Sequence, residues 1–454
     1  MPDISRNVLR ARFARALSRM YREEVPAYGT LVSLVEDVNS ATLKRDVRLR
    51  ESLRAADGLD RISEERHGAI RLGTAEELAG MRRLFSGFGM IPVGYYDLGV
   101  AGIPVHSTAF RPVTDADLAI SPFRVFTSLL RTDAIEDDEL RREAEGTLGR
   151  RSIFHGRTLD LADRAARAGG LPEAEAEELI EGAIETFRWR REATVSAEIY
   201  ATLKDAHALI ADVVSFQGPH INHLTPRTLD IDAVQNGMPE RGMTPKAVVE
   251  GPPPRDVPIL LRQTSFKAIE EAVAFPDGSG RFTEGAHTAR FGEVEQRGAA
   301  LTPKGRALYD RLLAKTRERV RPAPDGSNAG DYRAALAETF EAFPDDAEHM
   351  RREGLAYFRY DRAIGIAEEA DALRSSADTD IVISPIVYED FLPVSAAGIF
   401  QSNLGDNVTD LSANASKAAF EAALGCSVAD EFALYAERER ASFEACHGQS
   451  RRQA

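Results

Sequence analysis

Two stretches of this chain pass through the same order of segments, and each opens on a histidine. That repetition constrains the fold more than any other feature, because a repeated order of elements implies a duplicated module. In the first stretch, from about residue 55 to 131, His67-Gly-Ala-Ile-Arg71 has the pattern of an extended segment. Thr74 and Glu77 then make a capping-box pattern that opens a helix through Leu78, Met81, Leu84 and Phe85. Gly89-Met90-Ile91-Pro92 follows, with an apolar stretch to Val105 and the segments His106 to Arg111 and Phe123 to Arg131. In the second stretch, from about residue 213 to 298, His220-Ile-Asn-His223-Leu-Thr is extended and Leu229 to Val234 can form a short helix. Gly242-Met243-Thr244-Pro245 comes next, then the apolar run Val257 to Leu261, the segment Gln263 to Lys267 and a closing strand from Arg290 to Arg297. Each stretch reads as a βαβββ unit. The expected fold is therefore α+β, with two βαβββ modules forming a curved mixed sheet and large helical insertions.

The rest of the chain supplies those insertions. Residues 1 to 54 read as an N-terminal helical segment, with Leu9, Phe13, Leu17 and Met20 at helical spacing. Residues 132 to 212 read as an acidic helical insertion that carries Trp189, the single tryptophan. Residues 299 to 425 read as a helical and strand extension completing a pocket. They hold a helix from Leu301 to Val320, another from Tyr332 to Phe343, and a strand pair at Tyr357 to Tyr360 and Ile381 to Leu392. Helix returns from Ser412 to Cys446, and residues 426 to 454 form a C-terminal helix and tail.

Composition excludes several classes. No run approaches the ~18 apolar residues of a membrane span, and the arginine-rich N-terminus lacks a secretory apolar block, so a cytoplasmic protein is expected. Only two cysteines are present, Cys426 and Cys446, in no zinc-type spacing, so any metal must be held by nitrogen and oxygen. A formal net charge of -15 opposes a polyanionic partner, and no nucleic acid is expected.

Nine histidines leave few candidates for a metal site. His155, His207, His349 and His447 lie in helical or polar surroundings and read as surface residues. His67 and His223 differ, because each sits on the equivalent first strand of a module. A lone strand histidine is more often a hydrogen-bonded core residue, but pairing across the repeat reverses that preference. Non-haem Fe(II) oxygenases use two imidazoles and one carboxylate on one face of the ion. His220 competes with His223, and strand alternation lets only one of them face inward. His223 shares its face with Ile221, which favours it for the buried side. For the carboxylate, Glu293, Glu295 and Arg297 share one face of the closing strand, so parity does not choose between the two glutamates. The matching strand of the first module, Arg124 to Arg131, carries no acid.

At these residues the sequence resembles the vicinal-oxygen-chelate superfamily, including hydroxyphenylpyruvate dioxygenase and hydroxymandelate synthase. More closely, four motifs resemble the 2-oxoadipate dioxygenase/decarboxylase family of lysine catabolism. They are His67-Gly-Ala-Ile-Arg71, His220-Ile-Asn-His223-Leu-Thr-Pro, Phe291-Gly-Glu-Val-Glu-Gln-Arg-Gly298 and Tyr388-Glu-Asp-Phe-Leu-Pro-Val-Ser-Ala396. The resemblance implies Fe(II), with His67, His223 and Glu293 as ligands, and Glu295 as the substitute if the register slips. It implies conversion of 2-oxoadipate and O2 into 2-hydroxyglutarate and CO2, with Arg71 holding the distal carboxylate of the substrate. Arg71 lies four residues after His67 and so shares its strand face. The turn at Val394 and Ser395 would close the far end of the pocket, and Gln263 is a further polar candidate for the substrate. Two other readings compete: another metal-dependent enzyme of this superfamily, such as an extradiol dioxygenase, isomerase or glyoxalase-like lyase, and a metal-free small-molecule binding protein. Metal content separates the last from the rest.

Overall fold

The structure is a computed structural model that describes residues 3–56, 59–62, 64–99, 102–362, 373–374, 381–392 and 410–450. Its strands, in chain order, are β1 (Ile4–Ser5), β2 (Glu65–Leu72), β3 (Ile91–Asp97), β4 (Val105–Arg111), β5 (Arg124–Leu130), β6 (Gly170–Leu171), β7 (His223–Pro226), β8 (Leu261–Ser265), β9 (Glu270–Pro276), β10 (Phe282–Thr288), β11 (Phe291–Arg297), β12 (Phe358–Arg362), β13 (Leu373–Arg374) and β14 (Ile381–Pro385). Seven of them form one sheet in the order β3-β4-β5-β2-β7-β11-β8, curled into a half-barrel.

The duplication is visible in the pairing. In the first half β2 runs parallel to β5, and β5 antiparallel to β4. In the second half β7 runs parallel to β11, and β11 antiparallel to β8. The halves join where the two opening strands meet antiparallel, with Ala69 opposite His223 and His67 opposite Thr225. Equivalent strands that pair antiparallel are related by a local twofold, so the two opening histidines are brought to the seam.

Alternation along the strands then sorts the side chains into two layers. Ile70, Leu72, Val125 and Val294 join a large apolar layer with Leu9, Phe13, Leu17 and Met20 of the helix Arg6–Glu24. Each such side chain contributes about 1.5–3 kcal/mol when fully buried. Ala69, Ala109 and Phe126 face the other way into a second layer, and His67 and Arg71 share their parity. Tyr21 ties the helix to the strands of interest, its Oη lying 2.9 Å from the Asn222 carbonyl oxygen and 2.8 Å from that of Phe291. Gly292 has a packing reason: a Cβ there would fall 2.5 Å from the Phe266 ring and 2.9 Å from Leu31.

The second half departs from the expected βαβββ pattern in three places. Residues 245–250, at the position of β3, meet their neighbours only through the isolated bridges Pro245 to Phe266 and Glu250 to Gln263. Proline cannot donate a ladder hydrogen bond, which breaks the strand at its start. The apolar run Val257 to Leu261 enters the sheet only at Leu261, since Pro258 interrupts it and Leu260 takes a positive φ of 52°. Between β8 and β11 the chain inserts the hairpin β9–β10, which pairs only with itself in the described sheets. Six of the seven β10 residues are exposed, all but His287, so no apolar alternation marked it in the sequence. At the C-terminus the expected single helix is two, Asp410–Leu424 and Glu431–Ser450, separated where Gly425 takes a φ of 76°. Among the described residues no helix is long and apolar enough to cross a membrane.

Burial of histidines sets a pH dependence. His106, against the Phe420 ring at 4.7 Å, has its pKa lowered to about 4 chiefly by burial. A base with a lowered folded pKa contributes stability that is present above its unfolded value of about 6.5 and is lost as pH falls towards the folded value. Stability should therefore decline between about pH 6.5 and pH 4, by on the order of 3 kcal/mol for this group. Urea unfolding across that range checks it. In His106→Gln the decline should be shallower; an unchanged slope would remove His106 from the account.

Candidate active site

His67 on β2, His223 at the start of β7 and Glu293 on β11 converge on the concave face at the seam between the halves. One ligand atom from each lies within 4.8 Å of the others, and all three residues are buried. His67 Nε2 is 3.1 Å from Glu293 Oε1, and His223 Nε2 is 3.9 Å from the same oxygen. The two rings stand nearly perpendicular, 5.5 Å between centroids. An ion about 2.1 Å from each donor spans separations of this size. Burial pushes the His223 pKa down to about 3, so its imidazole is neutral, the form that binds metals. Two imidazoles and one carboxylate thus fit a first-row divalent metal.

Two neighbouring polar side chains reach the same carboxylate oxygen. Gln263 Nε2 donates to Glu293 Oε1 at 2.7 Å, and Thr225 Oγ1 lies 3.3 Å from that oxygen and 3.1 Å from His67 Nε2. Gln263, expected as a substrate contact, here bonds the glutamate, while its own Oε1 has no hydrogen-bond partner among the described residues.

Glu295 occupies a different position from Glu293. Its Oε2 lies 3.0 Å from His67 Nδ1, off the line of an N–H donor, and both its oxygens accept from Arg297 at 2.5 and 2.8 Å. Burial raises its pKa, but the Arg297 guanidinium and His67 together outweigh burial and hold the carboxyl well below its usual range. Of the two glutamates that alternation left open, only Glu293 faces both imidazoles. Arg297 also donates to the carbonyl oxygens of Tyr388 and Asp390, each at 2.9 Å. Asp390 in turn pairs with Arg111 at 2.6 Å and accepts from Tyr435 at 2.6 Å, and Glu389 pairs with Arg124 at 2.6 Å. Three arginines from the sheet therefore hold Tyr388, Glu389 and Asp390 beside the site.

The pseudo-symmetry explains why only one half carries an acid. Parallel pairing sets His67 opposite Arg124 and His223 opposite Phe291, so the counterpart of Glu293, two residues on, is Phe126. Its ring packs 5.0 Å from Phe391, which lies 4.7 Å from His67. One half contributes the carboxylate, and the other an apolar wall.

Arg71 is buried on the same face of β2 and forms an ion pair with Asp212. Val394 and Ser395 lie outside the described residues. His220 corrects an expectation: it is buried rather than turned outward, because β7 begins only at His223 and strict alternation does not extend back to it. It belongs to a second cluster with Asp212 and His287. Sequence reasoning missed Asp212, His287, Thr225 and the contact of Glu295 with His67. Asp212 lies on a helix of the acidic insertion and His287 on the unmarked hairpin, so no local pattern distinguished either.

The family model for 2-oxoadipate dioxygenase/decarboxylase matches residues 13–403. The chain is 56% identical over 451 residues to the 2-oxoadipate dioxygenase/decarboxylase of Pseudomonas putida, covering 98% of this chain and 97% of that one. It is 53% identical over 452 residues to the protein of the same name from Escherichia coli, covering 98% and 99%. The fold is similar to the crystal structure of hydroxyglutarate synthase in complex with 2-oxoadipate from Pseudomonas putida, with a TM-score of 0.88 and 55% identity over 98% of both chains.

Proposed function

The chain belongs to the 2-oxoadipate dioxygenase/decarboxylase family, and from that premise we propose that it converts 2-oxoadipate and O2 into 2-hydroxyglutarate and CO2 with Fe(II) held by His67, His223 and Glu293. The observation that carries this reading is the buried meeting of two imidazoles and one carboxylate in a chain that matches a 2-oxoadipate-bound relative over 98% of its length. The overall reaction balances without a second organic substrate. One oxygen atom of O2 enters the new carboxylate, and the other becomes the hydroxyl on the adjacent carbon.

Bound iron would supply chelation of the 2-oxo acid and activation of O2. The chain's own residues do the rest. Gln263 and Thr225 hold the Glu293 carboxylate, and Glu295 sits against the far nitrogen of His67. Phe126 and Phe391 keep one side of the site apolar, which limits water at the reacting carbon. Arg71 grips the distal carboxylate, and Val394 and Ser395 are further substrate-binding residues of this reading. The proposal extends to a cytoplasmic setting in lysine breakdown, in keeping with two free cysteines, Cys426 and Cys446.

The test is oxygen uptake by anaerobically purified, iron-loaded protein. With 2-oxoadipate, O2 consumption, CO2 release and 2-hydroxyglutarate formation should run in equal amounts. An isomerase or lyase would turn over without O2, and a binding protein would not turn over at all. Uptake that yields no 2-hydroxyglutarate would also count against the assignment.

A further inference from the structure

A second buried cluster lies beside Arg71, and its organisation bears on how the proposed anchor is held. Asp212, on the helix Ala208–Val214, is buried and receives contacts from several separate elements. Its Oδ1 lies 3.1 Å from His220 Nε2 and 2.9 Å from His287 Nε2. Its Oδ2 takes the Arg71 guanidinium and lies 3.4 Å from Asn222 Nδ2. The other nitrogen of His287 lies 2.9 Å from Tyr200 Oη. A tyrosine hydroxyl donating to Nδ1 leaves the proton of that ring on Nε2, pointing at Asp212. Two imidazoles, a guanidinium and an amide thus converge on one carboxylate. The Asp212 carboxyl is held well below its usual range: burial raises its pKa, but Arg71, His220 and His287 together outweigh burial.

The same three side chains Asp212, His220 and His287 bring their ligand atoms within 4.8 Å, as a metal site would. The hydrogen bonding argues for another role. Oδ1 already faces two ring nitrogens and Oδ2 a guanidinium, so a divalent ion would have to displace N–H protons while sitting next to a fixed positive charge. A guanidinium presents five N–H groups in one plane and can meet two carboxylates at once. Holding one edge of that plane fixes the direction of the others.

We infer that Asp212 is the positioning residue for Arg71: braced by His220, His287 and Asn222, it sets the plane of the guanidinium and so the preference for a 2-oxo dicarboxylic acid over a monocarboxylic one. The inference rests on the reading of Arg71 as the distal anchor. Asp212 itself need not touch the substrate.

The test compares 2-oxoadipate with 2-oxohexanoate, its monocarboxylic analogue, in the iron-loaded wild type, Asp212→Asn, Arg71→Ala and the double variant. Binding is measured by calorimetry without O2, and kcat and KM by oxygen uptake. Asp212→Asn should raise Kd and KM for 2-oxoadipate about tenfold, as loss of a hydrogen bond to a charged group does, with a much smaller change in kcat and none in binding of 2-oxohexanoate. In the Arg71→Ala background it should have no further effect on the preference. Equal losses on both substrates, or the same loss with and without Arg71, would overturn the positioning role. If Arg71→Ala itself leaves the preference intact, the anchor reading fails and the inference with it. Should Asp212→Asn not fold, Tyr200→Phe loosens His287 from outside the cluster and should shift the preference in the same direction by about threefold; no shift overturns the inference. Wild-type protein carrying two metal ions per chain, falling to one in His287→Gln, would replace it with a second metal site.

Discussion

Glu293→Ala is expected to empty the metal site and reduce turnover of 2-oxoadipate to background, while Glu295→Gln retains metal and is only weakened. The distinction follows from position. Among the described residues Glu293 is the one carboxylate facing both His67 and His223, whereas Glu295 meets the outer nitrogen of His67 and is neutralised by Arg297. Losing a partner of that outer kind lowers metal affinity or activity by about 10- to 100-fold, so loss of a direct ligand should exceed about 100-fold. Glutamine at 295 keeps the volume and one acceptor for Arg297, which spares the buried guanidinium from complete loss of its partner. Alanine at 295 is a poorer comparison, because it strands Arg297 and releases the Tyr388 to Asp390 segment bound by the same side chain. Metal analysis of the two purified variants, with thermal unfolding as the check on folding, decides the matter. If Glu295→Gln loses its metal while Glu293→Ala keeps it, the ligand assignment is inverted.

Arg71→Ala should cost about 2–4 kcal/mol in kcat/KM for 2-oxoadipate, roughly a 30- to 1000-fold loss, with a much smaller effect on 2-oxohexanoate. A guanidinium grips a carboxylate through two parallel hydrogen bonds and fixes its orientation as well as its distance. Arg71→Lys should recover little of the loss, since an ammonium cannot reproduce the fork and reaches Asp212 with different geometry. Steady-state oxygen uptake on both substrates is the measurement. Equal losses on the two would show that Arg71 supports the fold of the site rather than the distal end of the substrate.

Much of this arrangement was legible from the sequence because its signals are local. The repeat order, the Thr74 cap whose Oγ1 accepts from Glu77 N at 3.2 Å, and the helical spacing of Leu9, Phe13, Leu17 and Met20 each depend on residues close in the chain. Duplication then extended local signals to a long-range one: two equivalent strands predicted two histidines at a shared seam, and β2 and β7 do pair there. Alternation could say which residues share a face, and it placed Arg71 with His67 correctly. It could not say which atoms on that face approach one another. The choice between Glu293 and Glu295 required the register of β11 against β7, which no single strand encodes. Pro245, Pro258 and the inserted hairpin changed the second module without changing its connectivity, since a few residues without ladder hydrogen bonds suffice to redirect a strand.

The sequence by itself determined the fold class, the pairing of His67 with His223, the short list of acids and the kind of chemistry such a donor set supports, because periodicity, caps and residue type act over a few positions. Only the tertiary structure decided that Glu293 faces the imidazoles, that Phe126 stands where a second acid could have been, and that Arg71, His220 and His287 gather around Asp212. Those contacts join residues as far as 226 positions apart, as with His67 and Glu293. They arise from how a curved sheet, an insertion helix and a hairpin pack together, and burial then makes each unpaired charge costly enough to demand its partner.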